Sequence, residues 1–516
     1  MFGNRCFLSI ILMLTLSAGA VTVTSVFGDD INDTNSGTGK MLQTPNVSMN
    51  LQGEMGRRIE ATVDHWLLTA PLSNPAIIEM FRLRDRTPGF DIPMVWKGEF
   101  AGKYLHSAVL TLAMTDNPAL GQLLEAFVAD LTATHAPDGY LGPFNKDQRW
   151  VENWDMWGQY QIMLALYKYY RITGDQAALD CALKAADLIC DTFLDTGRSI
   201  TSLGHYLTNM GIIHVMGILY RETGNDRYLA MMRKIEKEWE APGINDYYHN
   251  ALKGVEYFEL PGPRWEALHT LEGLGEFYLI TGETSYRDAL MNDWHSLLEN
   301  DVHNNGSFST AESAIGNPFV MRDTKREFSN PAEAFMNGRI ETCCTVAWMA
   351  LSLDALRLSG DSRVADELER SLWNGVLAYM HPSGRWCTYD TPMDGKREAA
   401  QHTISGQAYP GSPELNCCST NGPRGLAMLS EWAVLTDADD LYLNYFGPGT
   451  IDLETANGQR WSIEQQTHYP AEGTIKIVLG LDAANECTLN LRIPGWSESP
   501  KVRLNGETLK DVEAGH

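Results

Sequence analysis

Positive charge is in short supply in this chain: 40 lysines and arginines stand against 66 aspartates and glutamates, a net charge of −26. A surface of that sign repels phosphate backbones and anionic headgroups, which argues against nucleic acid or acidic membranes as partners. Long apolar runs are equally scarce. Phe7 to Leu16 follows Arg5 and precedes Ser17-Ala18-Gly19-Ala20, the order of a cleavable leader over residues 1–28. That run is too short to span a bilayer, and no later stretch spans one. The mature protein is therefore expected to be secreted or periplasmic, without a transmembrane segment. Two catalytic signatures are missing as well, His-Glu-x-x-His and Gly-x-Ser-x-Gly, so zincin and serine-hydrolase chemistry have no support. Cysteine is sparse, nine residues in 516, and Cys6 falls in the leader. Cys181 and Cys190 lie on one expected helix, too far apart to bridge.

Four of the remaining cysteines fall into two adjacent pairs. Arg339-Ile340-Glu341-Thr342-Cys343-Cys344 carries one pair and Asn416-Cys417-Cys418-Ser419 the other. Positions i and i+2 of a helix point to nearly opposite sides. Glu341 and Cys343 thus cannot clasp one ion from a regular helix, and both clusters are expected on irregular backbone at element ends. A helix starts just after the first, on Val346, Met349, Leu353 and Leu356. Brought together, Glu341, Cys343, Cys417 and Cys418 offer one oxygen and three sulfurs, a set that suits tetrahedral zinc. Buried cysteines that merely pack are the alternative. A metal would also explain how thiolates persist outside the cytoplasm.

With 44% hydrophobic and 10% aromatic residues the chain is globular, and its length allows two or three domains. Residues 29–50, rich in Asp, Asn, Thr, Ser and Gly, read as a flexible linker. From there to residue 440 amphipathic helices alternate with a recurring punctuation. Leu112-Ala113-Met114-Thr115-Asp116, Arg171-Ile172-Thr173-Gly174-Asp175 and Arg221-Glu222-Thr223-Gly224-Asn225 are the first three instances. Leu279-Ile280-Thr281-Gly282-Glu283, Arg357-Leu358-Ser359-Gly360-Asp361 and a weaker Val434-Leu435-Thr436-Asp437-Ala438-Asp439 follow. The glycine fits a left-handed helix end and the polar residue after it a cap for the next helix. Six such hairpins, about 50 to 78 residues apart with long unequal loops, predict a closed (α/α)6 toroid over 51–440 rather than an open solenoid. After Leu441 the texture becomes alternating: Thr474–Leu479, Thr488–Ile493 and Val502–Leu504, with an Asn505-Gly506 hairpin turn. A β-sandwich domain is expected over 441–516, incomplete within this sequence.

These residues resemble the β-L-arabinofuranosidase family of glycoside hydrolases. The likeness rests on Asp138-Gly139-Tyr140-Leu141-Gly142, Glu341-Thr342-Cys343, Cys417-Cys418 with Asn421, Tyr389 before Pro392, and Arg492-Ile493-Pro494-Gly495-Trp496. It implies a zinc-thiolate glycosidase acting on a carbohydrate, built as an (α/α)6 toroid with appended β domains. It further implies Cys417 as nucleophile and zinc ligand, with Glu341, Cys343 and Cys418 completing the metal shell. A covalent thioglycosyl enzyme and net retention follow from that assignment. The general acid it implies is a glutamate upstream of Glu341. Glu312, in Gly306-Ser307-Phe308-Ser309-Thr310-Ala311-Glu312, matches best, with Glu327 and Glu333 as rivals. Tyr389 falls in the sugar pocket by the same likeness. Where the family has pocket histidines, this chain has Trp154, about Asn209, and Glu272, with His214 and His269 nearby. The aromatic stretch Arg149 to Trp157, which includes Asp155, suits sugar stacking or the packing of a helix start. Other readings are a lyase or acid/base hydrolase using Asp155 or Glu272, and a sugar-binding protein with structural zinc.

Overall fold

The structure, a computed structural model, describes residues 9–14, 42–43, 46–85, 98–151, 153–204, 206–260, 265–308, 340–389, 391, 397, 416–437, 440–455, 458–481 and 488–515. Helix α1 (Gly53–Thr62) precedes five antiparallel hairpins. These are α2 (Glu99–Thr115) with α3 (Pro118–Thr132), α4 (Asp155–Thr173) with α5 (Gln176–Phe193), and α6 (Ile212–Thr223) with α7 (Asp226–Trp239). Helices α8 (Trp265–Thr281) with α9 (Thr284–Asn300) and α10 (Thr342–Ser359) with α11 (Ser362–Arg370) follow, and α12 (Cys417–Ala427) comes last. The punctuation works as its chemistry dictates. Gly174, Gly224, Gly282 and Gly360 end their helices at φ of 66° to 76°, a region where a Cβ is strained. Asn117, Asp175, Asn225 and Asp361 then accept a backbone N–H of the next helix, each worth about 1 kcal/mol.

The even-numbered helices form a ring. Each packs on the next, and α12 closes back onto α2. Because they are covered on all sides, their sequences are apolar nearly all round: α10 is buried from Thr342 through Leu356. The odd-numbered helices form the outer layer and stay amphipathic, as in α7, which buries Tyr228, Met231, Met232, Ile235 and Trp239. This is the closed (α/α)6 toroid.

Two expectations need correction. The sixth joint is not helical, since Val434–Asp437 (β4) and Asp440–Leu443 (β5) pair antiparallel. No glycine stands there to close a helix, and the β-branched Val434 and Thr436 favour a strand. The helical part of the toroid therefore ends at Trp432, in a single turn (Leu429–Trp432) that follows α12, and α1 packs on α12. Secondly, the stretch read as linker carries strands β2 (Leu42–Gln43) and β3 (Asn46–Leu51). Val47, Met49 and Leu51 alternate inward, which residue type alone hides in so polar a segment. Strand β1 is Ser9–Leu14.

The C-terminal strands are β6 (Gly449–Glu454), β7 (Arg460–Thr467), β8 (Thr474–Leu481), β9 (Leu489–Leu491), β10 (Lys501–Leu504) and β11 (Glu507–Thr508). They form two sheets, ordered β11-β10-β1-β8-β7-β6-β3 and β2-β4-β5-β9. Strand β1 runs parallel to both its neighbours, with Ile10 opposite Val502 and Ile475. Asn505 and Gly506 make the expected hairpin turn at positive φ. Arg492, wholly buried, fastens this domain to the toroid. Its guanidinium meets Asp366 and Glu369 of the fifth hairpin, and its Nε donates to the Asn444 carbonyl at 2.7 Å.

Candidate active site

Glu341 is the cap residue of α10, with extended backbone (φ −95°, ψ 139°), and Cys343 sits in the first turn that follows. The expected break between them is therefore real: the helix begins between the two side chains. The second pair differs. Cys417 and Cys418 are themselves the first two residues of α12, held by a capping box between Asn416 and Ser419. Adjacent residues in a first turn, with no preceding turn to cover them, both face the ring's mouth.

The clusters converge. Ligand atoms of Glu341, Cys343, Cys417 and Cys418 all lie within 4.8 Å of one another, and all four side chains are buried. Cys418 Sγ is 3.5 Å from Cys343 Sγ, 3.9 Å from Cys417 Sγ and 3.8 Å from Glu341 Oε1. A tetrahedral zinc with Zn–S bonds near 2.3 Å requires sulfur–sulfur distances of about 3.8 Å. The donor set fits the ion in both type and spacing. The Cys344 thiol lies 3.4 Å from the second oxygen of Glu341 and fixes its orientation.

Backbone pairing brings in a further group. Thr342 N–H donates to the Tyr389 carbonyl and Thr391 N–H to that of Ile340. This clasp sets the Tyr389 hydroxyl 3.4 Å from Cys417 Sγ. On the other side stands a buried ion pair from α2. Lys103 Nζ lies 2.9 Å from Glu99 Oε2 and 4.0 Å from Cys343 Sγ. Gly102 allows it. A Cβ there would meet the Gln161 backbone at 2.4 Å, so α2 and α4 touch closely enough for the Trp157 indole to reach Glu99.

The electrostatics follow from burial and these neighbours. Burial opposes ionisation of Cys343, yet the Cys417 and Cys418 thiols and the Lys103 ammonium bring its pKa down to about 6. Hydrogen bonding to Cys343 and burial push Cys417 up, and burial pushes Cys418 up. Desolvation lifts Glu99 to about 7 against the pull of Lys103.

The GH127 catalytic-domain profile of β-L-arabinofuranosidases matches residues 52–431, and the middle-domain profile of the same enzymes matches 440–516. The chain belongs to the GH127 β-L-arabinofuranosidase family. It is a glycoside hydrolase. A non-reducing end β-L-arabinofuranosidase of Bifidobacterium longum subsp. longum is 23% identical over 459 residues, spanning 80% of this chain and 67% of that one. The solved structure of a GH127 β-L-arabinofuranosidase from Geobacillus stearothermophilus T6 superposes with a TM-score of 0.68 at 23% identity, covering 90% of this chain and 77% of the other. A second GH127 β-arabinofuranosidase structure gives 0.70 at 20%, covering 93% and 78%.

Among the residues read from sequence, the structure gathers Glu341, Cys343, Cys417, Cys418 and Tyr389 into one site. His269 is one layer away, its ring 5.5 Å from that of Trp157. Glu272, one helical turn deeper on α8, meets His269 and lines a second cavity. Trp154 caps the start of α4 and is half-buried. Asp155 is buried and engaged by the Tyr140 hydroxyl at 2.7 Å, the Trp150 N–H at 3.2 Å and the Gln159 amide at 3.3 Å. These bonds anchor the aromatic loop and explain the Asp138–Gly142 motif, which carries Tyr140. Glu312, Glu327 and Glu333 lie outside the described residues. Sequence reasoning missed Glu99 and Lys103, an i,i+4 pair of the kind usually found on a helix surface. The signal was their setting among Phe100, Ala101, Tyr104 and Leu105.

Proposed function

We propose that the protein is an exported, retaining β-L-arabinofuranosidase-like glycosidase that removes a sugar from plant-type glycans through a zinc-bound Cys417. The observation that carries this reading is the O/S3 cluster of Glu341, Cys343, Cys417 and Cys418, spaced as one tetrahedral ion requires. Zinc, when bound there, keeps the thiols ionised at neutral pH. Every other step belongs to the chain. The Cys417 thiolate attacks the anomeric carbon, a C–S bond forms, and the C–O bond to the leaving group breaks. Glu312 gives its proton to the departing oxygen, then takes one from the water that cleaves the C–S bond. Two displacements at one carbon retain its configuration. The Tyr389 hydroxyl beside Cys417 orients the sulfur, and His269 with the Trp157 and Trp154 layer contacts the sugar. Support for export comes from the leader-like order of residues 1–28.

Two measurements test the proposal. Metal analysis of the purified protein should return about one zinc per chain. A slow substrate, acid quench and peptide mapping should find the sugar on Cys417. Zinc well below stoichiometric with all four side chains intact, or the sugar on a carboxylate, would overturn it.

A further inference from the structure

The toroid holds a second cavity, of about 310 Å3, away from the thiolates. Arg171, Arg221 and Arg357, from the last turns of α4, α6 and α10, line it. Along α10, Asp354 is eleven residues beyond Cys343, roughly 16 Å at the helical rise. The cavity thus opens towards the opposite end of the ring and reaches inward as far as Glu272, which meets His269. Its walls are charged but mostly self-paired. Arg221 holds Glu276 at 2.6 Å and 2.9 Å, Arg357 holds Asp354 at 3.0 Å, and Lys168 holds Glu431 at 2.5 Å.

Three groups face one another within that frame. Ligand atoms of His214, Glu272 and Asp354, from α6, α8 and α10, lie within 4.8 Å of each other, with His214 Nδ1 3.7 Å from Glu272 Oε2. Independently, His106 on α2 is 1% exposed and lines the same cavity, and among the described residues neither of its ring nitrogens has a hydrogen-bond partner. The Nε of Arg424 is likewise buried and unpaired. Unmet buried polar groups cost about 1–3 kcal/mol each and call for a polar occupant. Burial and mutual repulsion hold Asp354 up near 7, with Glu272 and Glu276 both contributing. Burial raises Glu272 too and lowers His214 to about 4, so a positive ion at their meeting point would relieve the two carboxyls and find the imidazole neutral and able to coordinate.

We propose that this cavity binds a divalent cation on His214, Glu272 and Asp354, tying three inner helices together deeper in the ring than the thiolates. One imidazole and two carboxylates suit a hard-to-borderline ion such as Mn2+, which a thiolate cluster disfavours. Water carried by the ion would supply the partner His106 lacks.

The test uses the full chain with its thiolate site first saturated with zinc and the excess removed. Titration with Mn2+, followed by the electron paramagnetic resonance signal of the free ion, should show one further equivalent bound. Asp354→Asn and Glu272→Gln should each weaken that binding tenfold or more. Mn2+ should raise the unfolding temperature of the wild type and leave both variants unmoved. No uptake by the wild type, or equal uptake by wild type and variants, overturns the proposal. Should Asp354→Asn fail to fold, Glu272→Gln and His214→Gln decide it. The zinc count, measured separately, keeps a failure here distinct from failure of the thiolate mechanism.

Discussion

Replacing Lys103 by methionine keeps the length of the side chain and deletes the one ammonium beside the sulfur cluster. At 4.0 Å from Cys343 Sγ, a unit charge contributes about 4 kcal/mol to a thiolate at an effective dielectric constant near 20. Zinc that displaces all three thiol protons lowers the charge of the cluster by one in total, its own repulsion by the ammonium included, so that figure is a ceiling of about three decades in zinc affinity. Part of it is returned, because Glu99 loses its cation at the same time. Already lifted to about 7 by burial, the Glu99 carboxyl takes up a proton and carries its negative charge out of the site. The expected net loss is one to two orders of magnitude in zinc affinity. Competition with a chromogenic chelator reads it directly, and circular dichroism checks that the fold survives. Lys103→Arg, which keeps the charge, should recover most of the affinity. Zinc binding unchanged in Lys103→Met would show that the ammonium serves only Glu99 and that the charge argument is wrong.

Cys417→Ser should abolish turnover of every substrate, whereas Glu312→Gln should spare activated aryl glycosides. General acid help is worth about 10²–10⁴ in rate, and equal losses on aryl and natural substrates would move the role to Glu327 or Glu333. Asp155, raised by burial from 3.8 to about 6, keeps its proton in the folded state after the unfolded chain has released it. Stability should therefore fall as pH rises through that window, and denaturant melts of Asp155→Asn should show this slope flattened. Arg492→Met leaves Asp366 and Glu369 facing a buried surface without their cation. The loss should be about 3–5 kcal/mol, visible as earlier unfolding of the β domain by tryptophan fluorescence.

Local chemistry made much of this molecule legible. The Gly-Asp and Gly-Asn joints announce their hairpins because a left-handed residue followed by a cap has few other uses. Glu341, Cys343, Cys417 and Cys418 were readable because thiolates and carboxylates in tight pairs rarely serve packing. What escaped depends on pairing across long distances. Nothing near Asn46 says that its partner is Glu454. Val434–Asp437 resembles a helix joint until Leu441 and Leu443 arrive to pair with it. Lys103 hides for a related reason: a Glu-x-x-x-Lys spacing looks the same on an exposed helix and in a barrel wall.

The ring arrangement also polarises the molecule. Inner helices that run in parallel point their peptide dipoles the same way, each placing about half a positive charge at its first turn and half a negative charge at its last. Cys343, Cys417 and Cys418 stand in first turns, so the backbone itself lends the sulfurs a favourable field of about 0.3–1 kcal/mol per helix. At the far rim the carbonyl ends face Arg171, Arg221 and Arg357, each in a last turn. The toroid thus works as a small capacitor, with an anion-favouring plate where the thiolates sit and a cation-favouring plate at the other.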